Sequence, residues 1–230
     1  GKMETKVTWY GHSTLGMESA GYSILIDPFF SGNPATTKKA DNVKADFILI
    51  THGHSDHIGD SISIAKRTNA LVIANFEIAN WLGNKGLKNT HAQHIGGGHQ
   101  HPFGYLKMTS ALHGSSLPDG SNGGNPAGFL ITTNQHKKIY FAGDTGLFGD
   151  MRLIGEEGVD LAVLPIGDNY TMGPTDALRA VKLIQPRHVI PIHYNTWPLI
   201  AQDVNSWAQT VQAETDSLVH ILQPGESFDL

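Results

Sequence analysis

The segment Thr51-His52-Gly53-His54-Ser55-Asp56-His57-Ile58-Gly59-Asp60 decides how the rest of this chain is interpreted. Three imidazoles and one carboxylate fall between positions 52 and 57. The apolar run Phe47-Ile48-Leu49-Ile50 comes just before them and is typical of a buried strand. After them, Ile58, Ile62 and Ala65 recur at helical spacing. The cluster is therefore predicted to lie on a loop between a strand and a helix.

The residue types in this loop suit a metal site. Neutral imidazole and carboxylate are ligands for zinc, manganese, iron or nickel. His52 and His54 are two positions apart, so in extended backbone they project to the same side. Asp56 and His57 follow where the chain turns, so one loop could serve two neighbouring ions. A solvated histidine-rich loop is the alternative interpretation, but four ligand-type residues at this spacing favour metal binding.

Composition narrows the class of protein. The 230 residues are 40% hydrophobic and 16% charged, which is typical of an ordinary globular protein. A net charge of −5 provides no basic surface for nucleic acid, and without cysteine any metal must be held by His, Asp or Glu. No apolar run approaches the length of about 18 residues that spans a membrane, and no signal peptide is visible. We expect a single domain over residues 3–230, in the cytoplasm and without a membrane partner.

Strands and helices are predicted to alternate along the chain, which indicates an α/β fold. The predicted helix after the cluster runs to Thr68, and four later histidines, at 91, 94, 99 and 101, surround Gly96-Gly97-Gly98 and are expected on the surface or in a loop. His94 and His99 are the two that could line a pocket. The predicted strands cover 6–10, 13–18, 22–26, 47–50, 71–74, 105–112, 129–132, 138–142, 161–166 and 188–192. The other predicted helices cover 76–82, 150–156, 174–184 and 204–214. A closing hairpin is predicted from 218–222 and 227–230.

Ligand-type side chains stand repeatedly at the ends of the predicted apolar strands. Strand ends on one side of a sheet converge in space, and open α/β sheets place their sites there. Any one of these residues could be a turn or capping residue, but six of them together with the histidine cluster favour a common site. The six are Asp27, His52, His113, Asp144, Asp168 and His193.

In order and residue type, the pattern from Asp27 to His193 resembles the metallo-β-lactamase superfamily. The signature is His52-x-His54-x-Asp56-His57, then a lone His113, an Asp144 in a Gly-Asp-Thr turn and a late His193. The opening segment 9–14 (WYGHST) and the turn 26–28 (IDP) resemble the branch that holds ascorbate-6-phosphate lactonase and uncharacterised metal-dependent hydrolases. Segments 172–174 (MGP) and 193–197 (HYNTW) are more similar to the uncharacterised group.

This resemblance implies a four-layer αββα sandwich with the site along one edge. It implies two divalent metal ions, zinc or manganese ahead of iron or nickel. Asp27 would orient ligands by hydrogen bonds, and His12 would lie near the mouth of the site. The metal ligands would be His52, His54 and His113 on one ion, Asp56, His57 and His193 on the other, and Asp144 bridging the two.

A metal pair of this kind implies hydrolysis by a hydroxide shared between the ions, which also polarise the attacked carbonyl or phosphoryl oxygen. The substrate would be a small ester, lactone or phosphoester. Catalytic roles fall to Asp56, Asp144 and His12, and the leaving group could be protonated by Asp56, His12 or water. The glycine-rich segments 114–124 and 167–174, with the helix start at Pro174, could hold an anionic substrate.

Other functions stay open from the sequence. A phosphodiesterase or nuclease-type hydrolase is the enzymatic alternative, although the chain lacks a basic patch. A di-iron redox protein is disfavoured because the chain has no flavin domain and keeps a histidine in the first site. A metal-binding protein without turnover is a further alternative. Hydrolysis of β-lactam antibiotics is disfavoured without an export signal, and a homo-oligomer is expected by resemblance alone.

Overall fold

A computed structural model describes residues 4–230 as two seven-stranded sheets with helices outside them. The expectation of one domain over 3–230 stays a prediction, and its first residue, Met3, lies outside the described residues. No helix within residues 4–230 has the length and apolar character needed to cross a membrane.

The first sheet has the strand order β14-β1-β2-β3-β4-β5-β6. Strands β14, β1, β2 and β3 are antiparallel neighbours, and β3 to β6 are parallel. The inner parallel strands β4 and β5 are short and mostly apolar, as expected for strands covered on both faces, whereas the edge strand β6 is polar. The strands span β1 Lys6–Gly11, β2 Thr14–Ser19, β3 Tyr22–Ile26, β4 Phe47–Leu49, β5 Leu71–Asn75, β6 Thr90–Gln93 and β14 Ser227–Asp229.

The second sheet has the order β13-β12-β11-β10-β9-β8-β7. Its strands β7 to β10 are antiparallel and β10 to β13 are parallel. Strands β8, β10 and β12 therefore run in the same direction and end at the same side of the sheet. The bounds are β7 Gly98–His101, β8 Gly104–Ser110, β9 Ala127–Thr133, β10 Lys138–Phe141, β11 Leu161–Pro165, β12 His188–Ile192 and β13 Leu218–Val219.

Alternating side chains divide the buried residues into two cores. Leu49 faces the second sheet within the main core, whereas Ile48 faces outward into a smaller core. Ile64 and Ile78 belong to that smaller core, and Val181 belongs to the main one. The predicted four-layer αββα sandwich is confirmed. The helices are α1 Ser55–Ile58, α2 Ser61–Thr68, α3 Phe76–Asn84, α4 Met151–Gly155, α5 Pro174–Ile184 and α6 Val204–Glu214, with 3-10 turns at Ala40–Asn42 and Pro198–Ile200.

Three local predictions are wrong. The helix after the cluster is two helices, because Gly59 adopts a positive φ of 39° between them. The expectation that the histidines near 100 lie on the surface or in a loop is wrong for His101, which is buried on β7, whereas His94 and His99 are exposed and His91 is half-buried on β6. The closing hairpin does not form, because β13 pairs with β12 and β14 pairs with β1 in the other sheet.

Candidate metal centre

The site lies in the loops that follow parallel-running strands at one end of the sandwich. Asp27 follows β3, and His52 follows β4 in the first sheet. In the second sheet, His113, Asp144 and His193 follow β8, β10 and β12. Five of the six strand-end residues thus converge, as the topology predicts.

The sixth strand-end residue, Asp168, does not join them. Its side chain is exposed, and its carboxyl group lies against Gly173, where a Cβ atom would be 2.6 Å from Asp168 Cγ. A carboxylate therefore already lies beside the start of α5. The predicted anion site at Pro174 is not supported, because a second negative charge there would be repelled.

The first ligand group consists of His52, His54 and His113. Each offers a nitrogen atom within 4.8 Å of those of the other two. The ring centroids are 4.7 Å apart for His52 and His54, 4.9 Å for His52 and His113, and 5.1 Å for His54 and His113. His52 is fully buried and the other two are partly exposed, so this group opens toward solvent.

The second ligand group consists of His12, Asp56, His57 and His193, whose ligand atoms also lie within 4.8 Å of one another. The resemblance assigns Asp56, His57 and His193 to one ion, and the structure adds His12 to that group. Asp56 Oδ2 lies 2.8 Å from His12 Nε2 and 3.5 Å from His57 Nε2. The three histidines are buried, and Asp56 is partly exposed.

Asp144 lies between the two groups. Its Oδ2 atom is 3.0 Å from His57 Nε2 and 3.2 Å from His193 Nε2, both in the second group. The same oxygen is 3.4 Å from His113 Nε2 and 3.7 Å from His52 Nε2, in the first group. One carboxylate oxygen therefore contacts imidazoles of both groups, which is the position of a bridging ligand.

Asp27 fixes the orientation of two imidazoles from behind. Its Oδ1 accepts a hydrogen bond from Thr51 N at 2.8 Å, and its Oδ2 accepts one from Thr51 Oγ1 at 2.6 Å. Because that hydroxyl proton goes to Asp27, Thr51 Oγ1 accepts from His52 Nδ1 at 2.9 Å. His57 Nδ1 also donates to Asp27 Oδ2, at 2.7 Å. Both rings therefore turn Nε2 toward the site, as metal-ligating histidines do.

Four buried polar atoms in this region have no hydrogen-bonding partner among the described residues. They are His52 Nε2, His57 Nε2, His193 Nδ1 and Asp144 Oδ1. His57 Nε2 is close to Asp144 but lacks the angle of a hydrogen bond. Leaving such atoms unpaired costs about 1–3 kcal/mol each. Divalent ions would satisfy imidazole and carboxylate lone pairs of this kind, so the residues present fit a metal centre.

Burial and the neighbouring charges act in opposite directions on the pKa values of His57 and Asp144. Burial disfavours the charged form of His57, but the neighbouring Asp144 and Asp27 carboxylates hold its pKa well above the usual value. Burial would raise the pKa of Asp144, but His193 and His57 hold it well below its usual range. Burial and the nearby His57 lower the pKa of His52. The centre thus keeps an ionised carboxylate among its imidazoles.

His12 is fully buried rather than at the mouth of the site, where the resemblance places it. Its Nδ1 lies 2.7 Å from Thr196 Oγ1 and its Nε2 lies 2.8 Å from Asp56 Oδ2. Burial lowers the pKa of His12 to about 4, although the bond to Asp56 acts in the other direction. The neutral ring then donates from Nε2 to the carboxylate and accepts from Thr196 at Nδ1.

Sequence reasoning misses Thr51 and Thr196, which hold histidines in the site. Thr51 stands beside His52, so its position in the motif is an available signal. Thr196 contacts a residue 184 positions earlier, which no local pattern reveals.

Exposed apolar side chains flank the opening of the site. Leu112 is 57% exposed and precedes His113, and Trp197 is 40% exposed with its ring 4.9 Å from that of His12. On the other side, Gly114 adjoins the His54 ring, where its Cβ atom would be 3.6 Å from Nε2. The rim therefore offers apolar surface beside the ligand groups.

Comparison with known proteins is consistent with this centre. The profile of the Beta-lactamase superfamily domain matches residues 22–194. The chain is 52% identical over 230 residues to a UPF0173 metal-dependent hydrolase of Geobacillus sp. (strain WCH70), with 98% of this chain and 100% of that one covered. It is 50% identical over 231 residues to a UPF0173 metal-dependent hydrolase of Bacillus thuringiensis subsp. konkukian (strain 97-27), with the same coverage.

A solved structure agrees over nearly the whole chain. Igni18, a metallo hydrolase from the archaeon Ignicoccus hospitalis, superposes with a TM-score of 0.90 at 38% identity, covering 99% of this chain and 98% of that one. By sequence and by fold, the chain belongs to the metallo-β-lactamase superfamily and is one of its UPF0173 metal-dependent hydrolases.

Proposed function

We propose that this hydrolase is dinuclear and cleaves a small ester or lactone. The contacts of Asp144 carry the proposal, because its Oδ2 atom lies 3.0 to 3.7 Å from imidazole nitrogens of both ligand groups. A mononuclear centre would need one group and would leave the other buried lone pairs unsatisfied. The ligands would be those expected from the resemblance: His52, His54 and His113 for one ion, Asp56, His57 and His193 for the other, and Asp144 for both.

Two divalent ions held there would supply an activated water and polarise the oxygen of the attacked group. The protein's own contribution is to hold the ligands in place before substrate arrives. Asp27 and Thr51 fix the His52 and His57 rings through Nδ1, so neither ring needs to reorient during the reaction. Zinc and manganese are the ions we favour, since the ligand set is imidazole and carboxylate without thiolate.

The pair His12 and Asp56 would handle the proton. Burial opposes ionisation of Asp56, but the hydrogen bond from His12 and the neighbouring His57 ring hold its pKa well below the usual range. Asp56 therefore stays ionised and accepts hydrogen bonds. His12 is a positioning residue, because its Nε2–H donates to the Asp56 carboxylate and fixes the orientation of that group, while Thr196 fixes the His12 ring. Because Oδ2 already accepts from His12, a proton relayed to the leaving group would be taken at Oδ1, and the lowered pKa of Asp56 would favour its rapid release.

The rim favours a substrate with an apolar portion. Leu112, which precedes His113, and Trp197, whose ring lies 4.9 Å from that of His12, expose apolar surface beside the ligand groups. Within residues 4–230, the ion pairs of the site carboxylates are all with histidine. An ester or lactone with an apolar group suits this rim better than a nucleic acid backbone. The cytoplasmic location and a homo-oligomer stay predictions.

The test is hydrolysis by protein loaded separately with zinc or manganese. The panel contains lactones and nitrophenyl esters of increasing chain length, with bis-nitrophenyl phosphate as the phosphodiester. We expect cleavage of the esters or lactones, with kcat/KM rising with apolar chain length and falling in Trp197→Ala. Cleavage of the phosphodiester alone would favour the phosphodiesterase alternative. Inertness with both ions bound would favour a metal-binding protein without turnover.

A further inference from the structure

A second cluster of imidazoles lies outside the candidate metal centre, where the two sheets meet at their edges. Strand β6 is the last strand of the first sheet and β7 the last strand of the second. His91 lies on β6, while His99 and His101 lie two residues apart on β7 and so share one face. We call these three residues the edge triad.

The spacing of the edge triad matches that of the first ligand group. Its ring centroids are 4.5 Å apart for His91 and His99, 4.9 Å for His91 and His101, and 4.7 Å for His99 and His101. The corresponding distances among the three site histidines run from 4.7 to 5.1 Å. Three imidazoles at this distance can be bridged by one ion.

Gln93 selects the nitrogen that His101 can offer. The Gln93 amide donates from Nε2 to the carbonyl of Leu106 at 3.2 Å, so its Oε1 faces His101 Nε2 at 2.9 Å. An amide oxygen only accepts, and His101 therefore carries its proton on Nε2 and keeps a lone pair on Nδ1. A histidine held by a carbonyl through one nitrogen is the arrangement that orients metal ligands.

The core holds His101 in place, while the other two rings are free to adjust. His101 is buried and stacks on Phe103 with the ring centroids 5.4 Å apart. His91 is half-buried and His99 is exposed. Unlike the first ligand group, the edge triad does not have its ligand nitrogens all within 4.8 Å of one another, so one ion can bind all three only after rings rotate, and the exposed His99 ring has the most freedom to do so. An exposed side chain does this at small cost.

Two rings of the edge triad, His91 and His101, are also held in the neutral form that binds metal. Burial and the neighbouring His91 and His99 lower the pKa of His101 to about 4. Burial and His99 lower the pKa of His91. At neutral pH these rings carry lone pairs rather than positive charge. Packing against Phe103 explains one buried ring but not three rings gathered from two sheets.

We propose that His91, His99 and His101 bind one divalent ion of the zinc, nickel or copper class and so join the edge strands of the two sheets. Neutral imidazole is a preferred ligand for these ions. Because β6 and β7 belong to different sheets, an ion here would cross-link the open side of the sandwich. This site is independent of the proposed chemistry at Asp144.

Zinc binding to the intact protein tests the proposal. Wild type, His99→Gln and the control His94→Gln are dialysed against micromolar zinc, and the zinc per chain is counted by mass spectrometry. His94 is exposed and lies in the same segment but outside the triad. Every variant keeps the centre at Asp144, so the difference between variants reports the edge triad alone.

We expect wild type and His94→Gln to hold one more zinc ion per chain than His99→Gln. Zinc beyond the amount that fills the centre at Asp144 should also raise the Tm of wild type and His94→Gln but not of His99→Gln. Gln93→Leu should lower the affinity for the extra ion by about 10- to 100-fold, because the His101 ring is then no longer held by the Gln93 amide. Equal zinc counts in wild type and His99→Gln, with equal shifts in Tm, would overturn the proposal.

Discussion

At the scale of single residues, Asp144 has the most demanding position, since one oxygen atom contacts four imidazoles from two sheets. Its replacement therefore removes the contact that links the ligand groups and also the negative charge that offsets the metals. We expect Asp144→Ala to abolish turnover and to lower the metal bound at this centre from about two ions to about one, a loss of about one ion per chain. Metal counts and hydrolysis of the preferred ester measure both effects.

The control for Asp144→Ala is Asp150→Ala. Asp150 is exposed, precedes α4 and makes no side-chain capping bond, so this substitution should change neither quantity. If Asp144→Ala kept full activity with two ions bound, the bridging assignment would be wrong.

Asp27 acts on the site only through other residues, which makes a separate prediction. In Asp27→Asn the oxygen that accepts from both His57 Nδ1 and Thr51 Oγ1 loses its charge, and an amide nitrogen could face these donors instead. We expect metal affinity to fall by about 10- to 100-fold, as for other partners that orient ligands. Competition with a chromogenic chelator measures the affinity, and urea unfolding measures stability. A loss of stability with unchanged metal affinity would mean that Asp27 supports the fold and not the metal centre.

At the scale of elements, the junction between α1 and α2 packs closely against the turn that follows β3. Gly59 has a φ of 39°, and a Cβ atom there would lie 2.6 Å from the Pro28 carbonyl oxygen and 2.7 Å from Phe29 Cα. Asp60 continues the contact, since its Oδ2 accepts from Phe30 N at 2.9 Å. Both partners are backbone, so neither can yield without moving the chain beside Asp27.

We therefore expect Gly59→Ala to lower the free energy of unfolding by about 1–3 kcal/mol and to weaken metal binding together with it. Gly83→Ala is the matched control, because Gly83 lies in α3 and a Cβ atom there meets no atom within 4 Å. That control should be neutral or stabilising by up to about 1 kcal/mol. Urea unfolding of both variants gives the comparison, and equal stabilities would contradict the packing argument.

The elements also show where local sequence patterns stop being informative. An apolar run that ends in a ligand-type residue is a local signal, and it marks Asp27, His113, Asp144 and His193, which lie together at one end of the sandwich. The same signal marks Asp168, whose carboxyl group lies against Gly173 and not with the others. Which way a side chain leaves a strand end depends on the loop that follows, and the pattern does not contain that information.

Pairing between distant strands is equally beyond the sequence patterns. The β6 sequence Thr-His-Ala-Gln and the β7 sequence Gly-His-Gln-His have almost no apolar alternation, so the pattern predicts loop for both. Strand β14 pairs Asp229 with Lys6, at the other end of the described chain. The last two strands resemble a hairpin because they are neighbours in sequence, but each completes the edge of a different sheet.

At the scale of the whole molecule, clusters of histidine lie where the two sheets meet, at both long edges of the sandwich. The edge triad joins β6 to β7, and the opposite edge contains His188, His220 and Phe228. His188 Nδ1 lies 2.8 Å from His220 Nε2, and the His220 ring lies 4.1 Å from that of Phe228, which belongs to the first sheet. Because one ring must accept the hydrogen bond, at least one of these histidines has to be neutral.

This edge predicts a pH dependence of stability. Burial lowers the pKa of both His188 and His220. The positive charges of Arg187 and Lys137 lower the pKa of His188 further, although Asp160 acts in the other direction. The neighbouring His188 also lowers the pKa of His220. The unfolded chain, with a histidine pKa of about 6.5, therefore takes up more protons than the folded one as pH falls. The free energy that these two neutral rings contribute to folding is fully present above a pH of about 6.5, and it is lost as the pH falls below that value through the lowered pKa values of the folded protein.

Urea unfolding of wild type and His220→Gln at pH 7.5 and pH 5.5 tests the sign. Wild type should lose more free energy of unfolding over this interval than His220→Gln, by less than about 1 kcal/mol, since both rings are partly exposed. Any contribution of the metal centre to this pH dependence is common to both proteins and cancels in the difference. Equal losses in the two proteins would mean that this pair does not couple the sheet edges to pH, and a larger loss in His220→Gln would reverse the sign of the argument.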